Sequence, residues 1–130
     1  MTMTPPGFAT VTPYFVADDG EALVAFLVDG LGGERTLVHR RDDGTIANAQ
    51  VRLGNATVMV GQTRPGSSPT QANYYLYVED AAASMARAIA AGAVEIMAVA
   101  DMPYGDRQGG VRDPHGNIWW ISQRLVPGGY

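Results

Sequence analysis

The feature that most constrains this chain is an internal duplication at an offset of 61 positions. Thr12 maps to Asn73, Asp19 to Asp80, Glu34 to Glu95 and Gly44 to Gly105. A fixed internal period means that one supersecondary unit is used twice. In each copy an aromatic and apolar run ends in acidic residues: Thr12–Val16 before Asp18-Asp19, and Asn73–Val78 before Glu79-Asp80. Aromatic and β-branched residues favour strands, and the acidic residues close the strand and cap the next element. Apolar residues at helical spacing come next. Ala22, Leu23, Phe26, Leu27 and Leu31 predict a helix over Glu21–Leu31. Ala82, Met85, Ala86 and Ile89 predict one over Ala81–Ala91. Each stops at glycine, Gly32-Gly33 or Gly92, where a left-handed residue is cheapest.

The remainder of each copy reads as three strands. Glu34–Arg40, Ile46–Leu53 and Ala56–Gln62 are separated by turns at Asp42-Asp43-Gly44 and Gly54-Asn55. Glu95–Ala100, Arg107–Arg112 and Asn117–Arg124 are separated by turns at Met102–Gly105 and Asp113–Gly116. Asp-Gly and Gly-Asn pairs are strong hairpin signals. The expectation is an α+β chain of two tandem βαβββ units, 8–62 and 73–126. A flexible join at 63–72 links them, and together they form one domain over 8–126. Met1–Gly7 and Pro127–Tyr130 read as loose ends. Units of ~60 residues are marginal alone, so the two are expected to pack together.

Composition removes several functions. There is no Cys, hence no disulfide framework, thiolate zinc site or cysteine nucleophile. All nine basic residues are Arg, so Schiff-base chemistry and a phosphate-loop lysine are excluded. A net charge of −4 with scattered Arg argues against nucleic acid as a partner. No apolar run of ~18 residues predicts a membrane span. The first residues lack a basic start and an apolar core, so no signal peptide is expected and the cytoplasm is the expected compartment.

Several runs resemble the vicinal oxygen chelate superfamily, which holds glyoxalase I, extradiol dioxygenases and bleomycin-resistance proteins. Leu76-Tyr77-Val78-Glu79-Asp80 is similar to its strand-into-helix signature, and Ala91-Gly92-Ala93 to its helix end. Asp101–Arg107, Arg112–Asn117, Pro13-Tyr14 and Ala47–Gly54 resemble its single-domain, PhnB-like branch. The resemblance spans roughly residues 10–124. It implies half-barrel sheets around a concave cavity, and a homodimer in which halves from two chains can complete each barrel.

In the superfamily's metal-dependent members, ligands stand on the first and last strands of each unit. Those positions match Thr12 and Asn73, then Met59 or Val58, and Trp120. The turn Asp113-Pro114-His115-Gly116-Asn117 leads to Trp120 where the family pattern has Glu. None of these offers the carboxylate or imidazole that a hard divalent ion requires. No family-type metal centre and no cofactor are therefore expected.

Strand alternation assigns the lining. If Thr12, Asn73 and Trp120 face inward, so do Tyr14, Met59, Tyr75, Tyr77, Ile118 and Ser122. This set combines apolar area with a few polar groups, as a pocket for a flat organic molecule needs. It serves equally to fill a barrel or a dimer interface. Asn48 and Gln50 offer amides from the third strand. Tyr104 and Arg107 lie before the seventh strand, where Arg107 meets an anionic ligand or pairs with a carboxylate to hold its loop. His115 reads as an exposed turn residue and His39 as a half-exposed strand residue. The expected ligand-binding residues are thus Tyr14, Asn48, Gln50, Met59, Asn73, Tyr75, Tyr104, Arg107 and Trp120. The expected function is metal-free binding of a small organic, aromatic or drug-like molecule. The alternatives are an enzyme using an atypical metal site, or Tyr14, Tyr75 or His39 as acid or base, and an association module with a vestigial cavity.

Overall fold

A computed structural model describes residues 3–130. Met1 and Thr2, part of the expected loose end, lie outside the described residues. The elements are β1 (Tyr14–Ala17), α1 (Gly20–Asp29), β2 (Glu34–Arg40), β3 (Ile46–Leu53), β4 (Ala56–Gln62), β5 (Asn73–Tyr77), α2 (Ala81–Ala90), β6 (Val94–Asp101), β7 (Asp106–Arg112) and β8 (Ile118–Arg124). The chain divides into two compact units, one ending at Thr70 and one spanning Gln71–Tyr130. Each is βαβββ, and the α+β class and element order are those expected from the duplication. Among the described residues no helix is long and apolar enough to cross a membrane.

Each unit carries one four-stranded sheet, ordered β1-β4-β3-β2 in the first and β5-β8-β7-β6 in the second. The first and last strands pair in parallel, and the other pairs are antiparallel. Tyr14 lies opposite Met59, and Tyr75 opposite Trp120. Both pairings carry the same offset, so Met59, and not Val58, is the counterpart of Trp120.

The helix starts are set by the acidic residues. Asp19 accepts from Ala22 N at 3.0 Å and Asp80 from Ala83 N at 3.1 Å, which satisfies amides that a helix leaves open. α1 ends at Asp29, two residues short of Leu31. Gly30 N bonds Phe26 O, and Gly32 then takes φ 78 and reverses the chain. β1 starts at Tyr14 rather than Thr12. Pro13 has no amide to donate, and the Thr12 hydroxyl bonds Ala9 O at 3.1 Å.

Each helix covers one sheet face. Phe15, Leu23, Leu27, Ala49, Val51 and Val60 are buried in the first unit. Met85, Ala88, Val111, Trp119 and Ile121 are buried in the second. Trp119 stacks on Tyr74 with centroids 4.9 Å apart and donates Nε1–H to Asp113 Oδ2 at 3.0 Å. Asp113 Oδ1 also accepts from His115 N and Asn117 N, so one buried carboxylate shapes the turn before β8.

Parts of three segments expected to be loose are hydrogen-bonded to the strands or to the turn before β8. Thr57, buried on β4, donates its hydroxyl to Gly7 O at 2.6 Å. A buried hydroxyl needs a partner, and this one holds the leading segment. The join is bonded near both ends, Thr63 N to Ala17 O and Ala72 N to Asn117 Oδ1. Tyr130 donates its hydroxyl to the buried carboxylate of Asp106 at 2.6 Å.

Candidate functional site

In the second unit, alternation places Asn73, Tyr75 and Tyr77 of β5 on the face turned away from α2. Trp120 and Ser122 of β8 share that face with Gln108 and Gly110 of β7. Trp120 packs over Gly110. A Cβ there would stand 2.6 Å from the indole Cζ3, so this close approach requires glycine. The indole Nε1–H points to Asn73 Oδ1 at 3.3 Å. Beside it Tyr75 is 51% exposed and Tyr77 56%, their rings edge to face at 6.1 Å. The result is an open aromatic surface with an amide at its end.

A polar network runs beneath it. The Tyr104 hydroxyl donates to Gln108 Oε1 at 2.5 Å. Gln108 Nε2 donates to Ser122 Oγ at 2.6 Å, and Ser122 Oγ to Asp106 Oδ2 at 3.2 Å. Arg124 Nη1 reaches Asp106 Oδ1 at 2.8 Å. Asp106, Gln108 and Ser122 are buried, so each polar atom would be costly without these partners. Tyr130 spends its proton on Asp106, so Tyr77 is the donor in the 2.8 Å contact between their hydroxyls. The Tyr130 hydroxyl holds the Asp106 carboxyl below the usual carboxylate range, aided by Arg124 and Ser122 and opposed by desolvation. Burial, followed by a hydrogen bond with Tyr75, pushes the Tyr104 phenol up.

In the first unit, Tyr14, Met59 and Gln50 form one row across β1, β4 and β3. Gln50 Nε2 donates to Asn48 Oδ1 at 3.3 Å. Tyr14 lies over Gly61, where a Cβ would meet its hydroxyl at 2.9 Å. Eight of the nine expected residues therefore fall on two patches: Tyr14, Asn48, Gln50 and Met59 in the first unit, and Asn73, Tyr75, Tyr104 and Trp120 in the second.

Arg107 is not brought to this surface. Its register partner Gln123 accepts from Ala81 N at the start of α2, which marks the helix-bearing face. Arg107 pairs there with Asp101 at 2.7 Å, and Asp106 pairs with Arg124. His39 is exposed on β2 opposite Asn48. His115, expected at an exposed turn tip, is half-buried, and its Nε2 is buried with no hydrogen-bond partner among the described residues. Sequence reasoning missed the hub formed by Asp106, Arg124 and Tyr130. The available signal was polar residues alternating on two buried strands, Asp106 and Gln108 on β7 with Ser122 and Arg124 on β8.

Residues 8–121 match the family model described as the Glyoxalase/Bleomycin resistance protein/Dioxygenase superfamily. The chain belongs to this superfamily. The uncharacterized protein Mb0911c of Mycobacterium bovis is 31% identical over 124 residues, covering 87% of this chain and 82% of that protein. TioX from Micromonospora sp. ML1 is similar in structure, with a TM-score of 0.76 and 28% identity over 91% of this chain and 99% of TioX. TnmS3, an antibiotic binding protein from Streptomyces sp. CB03234, shares the fold at a TM-score of 0.67 and 21% identity. That match covers 89% of this chain and 97% of TnmS3.

The superfamily's metal-ligand positions are occupied by side chains with other contacts. Thr12 stands off the sheet with its hydroxyl on Ala9 O. Met59 offers a thioether. Asn73 and Trp120 are joined to each other by the 3.3 Å indole–amide bond. This donor set does not fit a hard divalent cation. Among the described residues no group of three His, Cys, Asp or Glu side chains stands together.

Proposed function

We propose that this chain is a cytoplasmic, small-molecule-binding member of the superfamily, without the family's metal centre, that takes a planar aromatic or drug-like ligand. The superfamily contains both enzymes and resistance proteins, so the fold alone does not choose between them. The observation that carries the choice is the Asn73–Trp120 hydrogen bond. It closes the two positions where a metal ligand pair would stand and fixes an indole beside the exposed Tyr75.

The mechanism is stacking with polar anchoring. A planar ligand covers Tyr75 and Trp120, which supply apolar area at little cost in side-chain entropy. The Asn73 Nδ2 amino group, not used by the indole bond to Oδ1, donates to the ligand edge. Tyr104, held on Gln108, forms one wall. Tyr14 and Met59, with the amides of Gln50 and Asn48, form a second patch of the same chemistry in the first unit. The motif run Asp101–Arg107 supports placement in the PhnB-like branch.

Tryptophan fluorescence tests this reading, because the two indoles sit on opposite faces. A planar aromatic ligand quenches Trp120 and leaves the buried Trp119 as an internal reference. Trp120→Ala abolishes the quenching, whereas unchanged affinity in that variant removes the site assignment. The family resemblance also supports a homodimer. Light scattering would then give about twice the chain mass of 13.8 kDa, and a mass of one chain rejects it.

A further inference from the structure

We propose that the position held by the Tyr130 phenol is a ligand subsite, and that a ligand's own phenol group takes it by displacing Tyr130. The inference rests on the binding function proposed above and adds the chemical class of the ligand, a hydroxyaryl compound.

Four contacts define the subsite. Asp106 Oδ2 accepts the phenol proton at 2.6 Å. The Tyr77 hydroxyl donates to the phenol oxygen at 2.8 Å. The Arg124 guanidinium lies 4.5 Å from the ring centroid, where an electron-rich ring attracts a cation. The Tyr104 ring meets the Tyr130 ring nearly at right angles, with centroids 6.1 Å apart. An acceptor for the proton, a donor for the oxygen, a cation on the ring face and an aromatic edge together specify a neutral phenol. A carboxylate or phosphate there would face the fully buried Asp106 carboxylate, and a plain phenyl ring would leave that carboxylate short of a donor.

Tyr130 itself is an exposed occupant. It is 73% exposed, so it is anchored by its hydroxyl and one ring face, with little apolar area removed from water. The carboxylate beneath also bonds Arg124 and Ser122, and neither contact passes through the phenol. The acceptor is therefore pre-organised whether or not Tyr130 is seated. Tyr77 links the subsite to Tyr75 and Trp120 on the same face, so a ligand long enough to span the stretch of β8 from Trp120 to Arg124, about 13 Å, stacks on the indole and places its hydroxyl on Asp106.

The test uses 4-methylphenol and its blocked counterpart 4-methylanisole. They are titrated into the isotope-labelled full chain and followed by the Trp120 indole N–H and the Gln108 and Arg124 side-chain signals. A tail seated nine-tenths of the time weakens apparent affinity about tenfold, because binding sees only the open fraction. The expected result is that 4-methylphenol moves the Gln108 and Arg124 signals at about tenfold lower concentration in Tyr130→Ala than in the parent. Tyr130→Phe, which keeps the ring and loses the anchoring hydroxyl, behaves like Tyr130→Ala. 4-Methylanisole leaves the Gln108 and Arg124 signals in place in all three proteins. Equal 4-methylphenol affinity in the parent and both variants overturns the subsite. If the Trp120 signal still moves in that case, the planar-ligand reading stands without it. Silence at Trp120, Gln108 and Arg124 with both compounds overturns both.

Discussion

Gly110→Ala probes the geometry that holds the indole. Gly110 is buried on β7 directly opposite Trp120. An added Cβ would lie 2.6 Å from indole Cζ3, 2.8 Å from Cε3 and 3.2 Å from Ile96 Cγ1. Carbon atoms prefer about 3.5–4.0 Å, so the ring must move by close to 1 Å. The indole is rigid and its only polar anchor, the 3.3 Å bond to Asn73, has no slack. Overpacking of this kind costs about 1–3 kcal/mol. Stiffening the unfolded chain by replacing glycine returns about 0.4–1 kcal/mol, leaving a net loss of about 1–2 kcal/mol. For a chain of this size that lowers the thermal midpoint by roughly 3–8 °C. Calorimetry reads the midpoint, and the Trp120 indole N–H resonance reports the broken bond. Gly61→Ala is the control, because its Cβ meets the hydroxyl end of the half-exposed Tyr14, which can swing away. Its midpoint should fall much less. An unchanged midpoint in Gly110→Ala with an unmoved indole resonance would refute the packing argument.

The same contacts yield other perturbations. Asp113→Ala strands two buried donors, Asn117 N and Trp119 Nε1, and should cost about 2–4 kcal/mol, read by chemical denaturation. A loss within error would mean that water replaces the carboxylate. The Asp106 carboxyl is held below its ordinary value of 3.8, so its contribution is full above that pH and is lost as pH falls through the lowered folded value. Tyr130→Phe removes the largest cause of the shift. Its stability deficit should therefore shrink on acidification below about pH 4. A deficit constant with pH in thermal unfolding would reject that linkage. Elemental analysis of protein purified without chelator should show no stoichiometric Mn, Fe, Ni or Zn. One equivalent of any of these would overturn the metal-free reading.

The periodicities carried the fold because two copies repeat them. Strands β2, β3 and β4 begin and end where alternation and turn residues put them, and Asp19 and Asp80 cap the helices they precede. The departures have local causes. Pro13 shortens β1, and Gly32 shortens α1. The two patches were legible because alternation on a paired strand is rigid. Arg107 stood in a motif and was assigned no parity, and of its two expected roles it takes the carboxylate pair, with Asp101. It is one residue from Asp106, and one residue is the difference between the two faces of a sheet. The Asp106 network was invisible for another reason. Tyr130 and Tyr77 are far apart in sequence, and no periodicity connects a trailing segment to a strand interior.

The parallel pairing of β1 with β4 also constrains how the molecule is made. Tyr14 leaves the ribosome long before Met59, yet among the described residues β1 has no other strand partner. While the β2–β3 and β3–β4 hairpins close on local turns, β1 must wait with Phe15 uncovered except by its own helix. The second copy repeats the delay, with Tyr75 waiting for Trp120. Loop closure must precede the reward of such distant pairings, so each copy should zip its meander first and dock its opening strand last. During synthesis at about 5–20 residues per second, each opening strand stays unpaired for seconds. That is the interval in which this chain is most exposed to pairing with a neighbour instead of with itself.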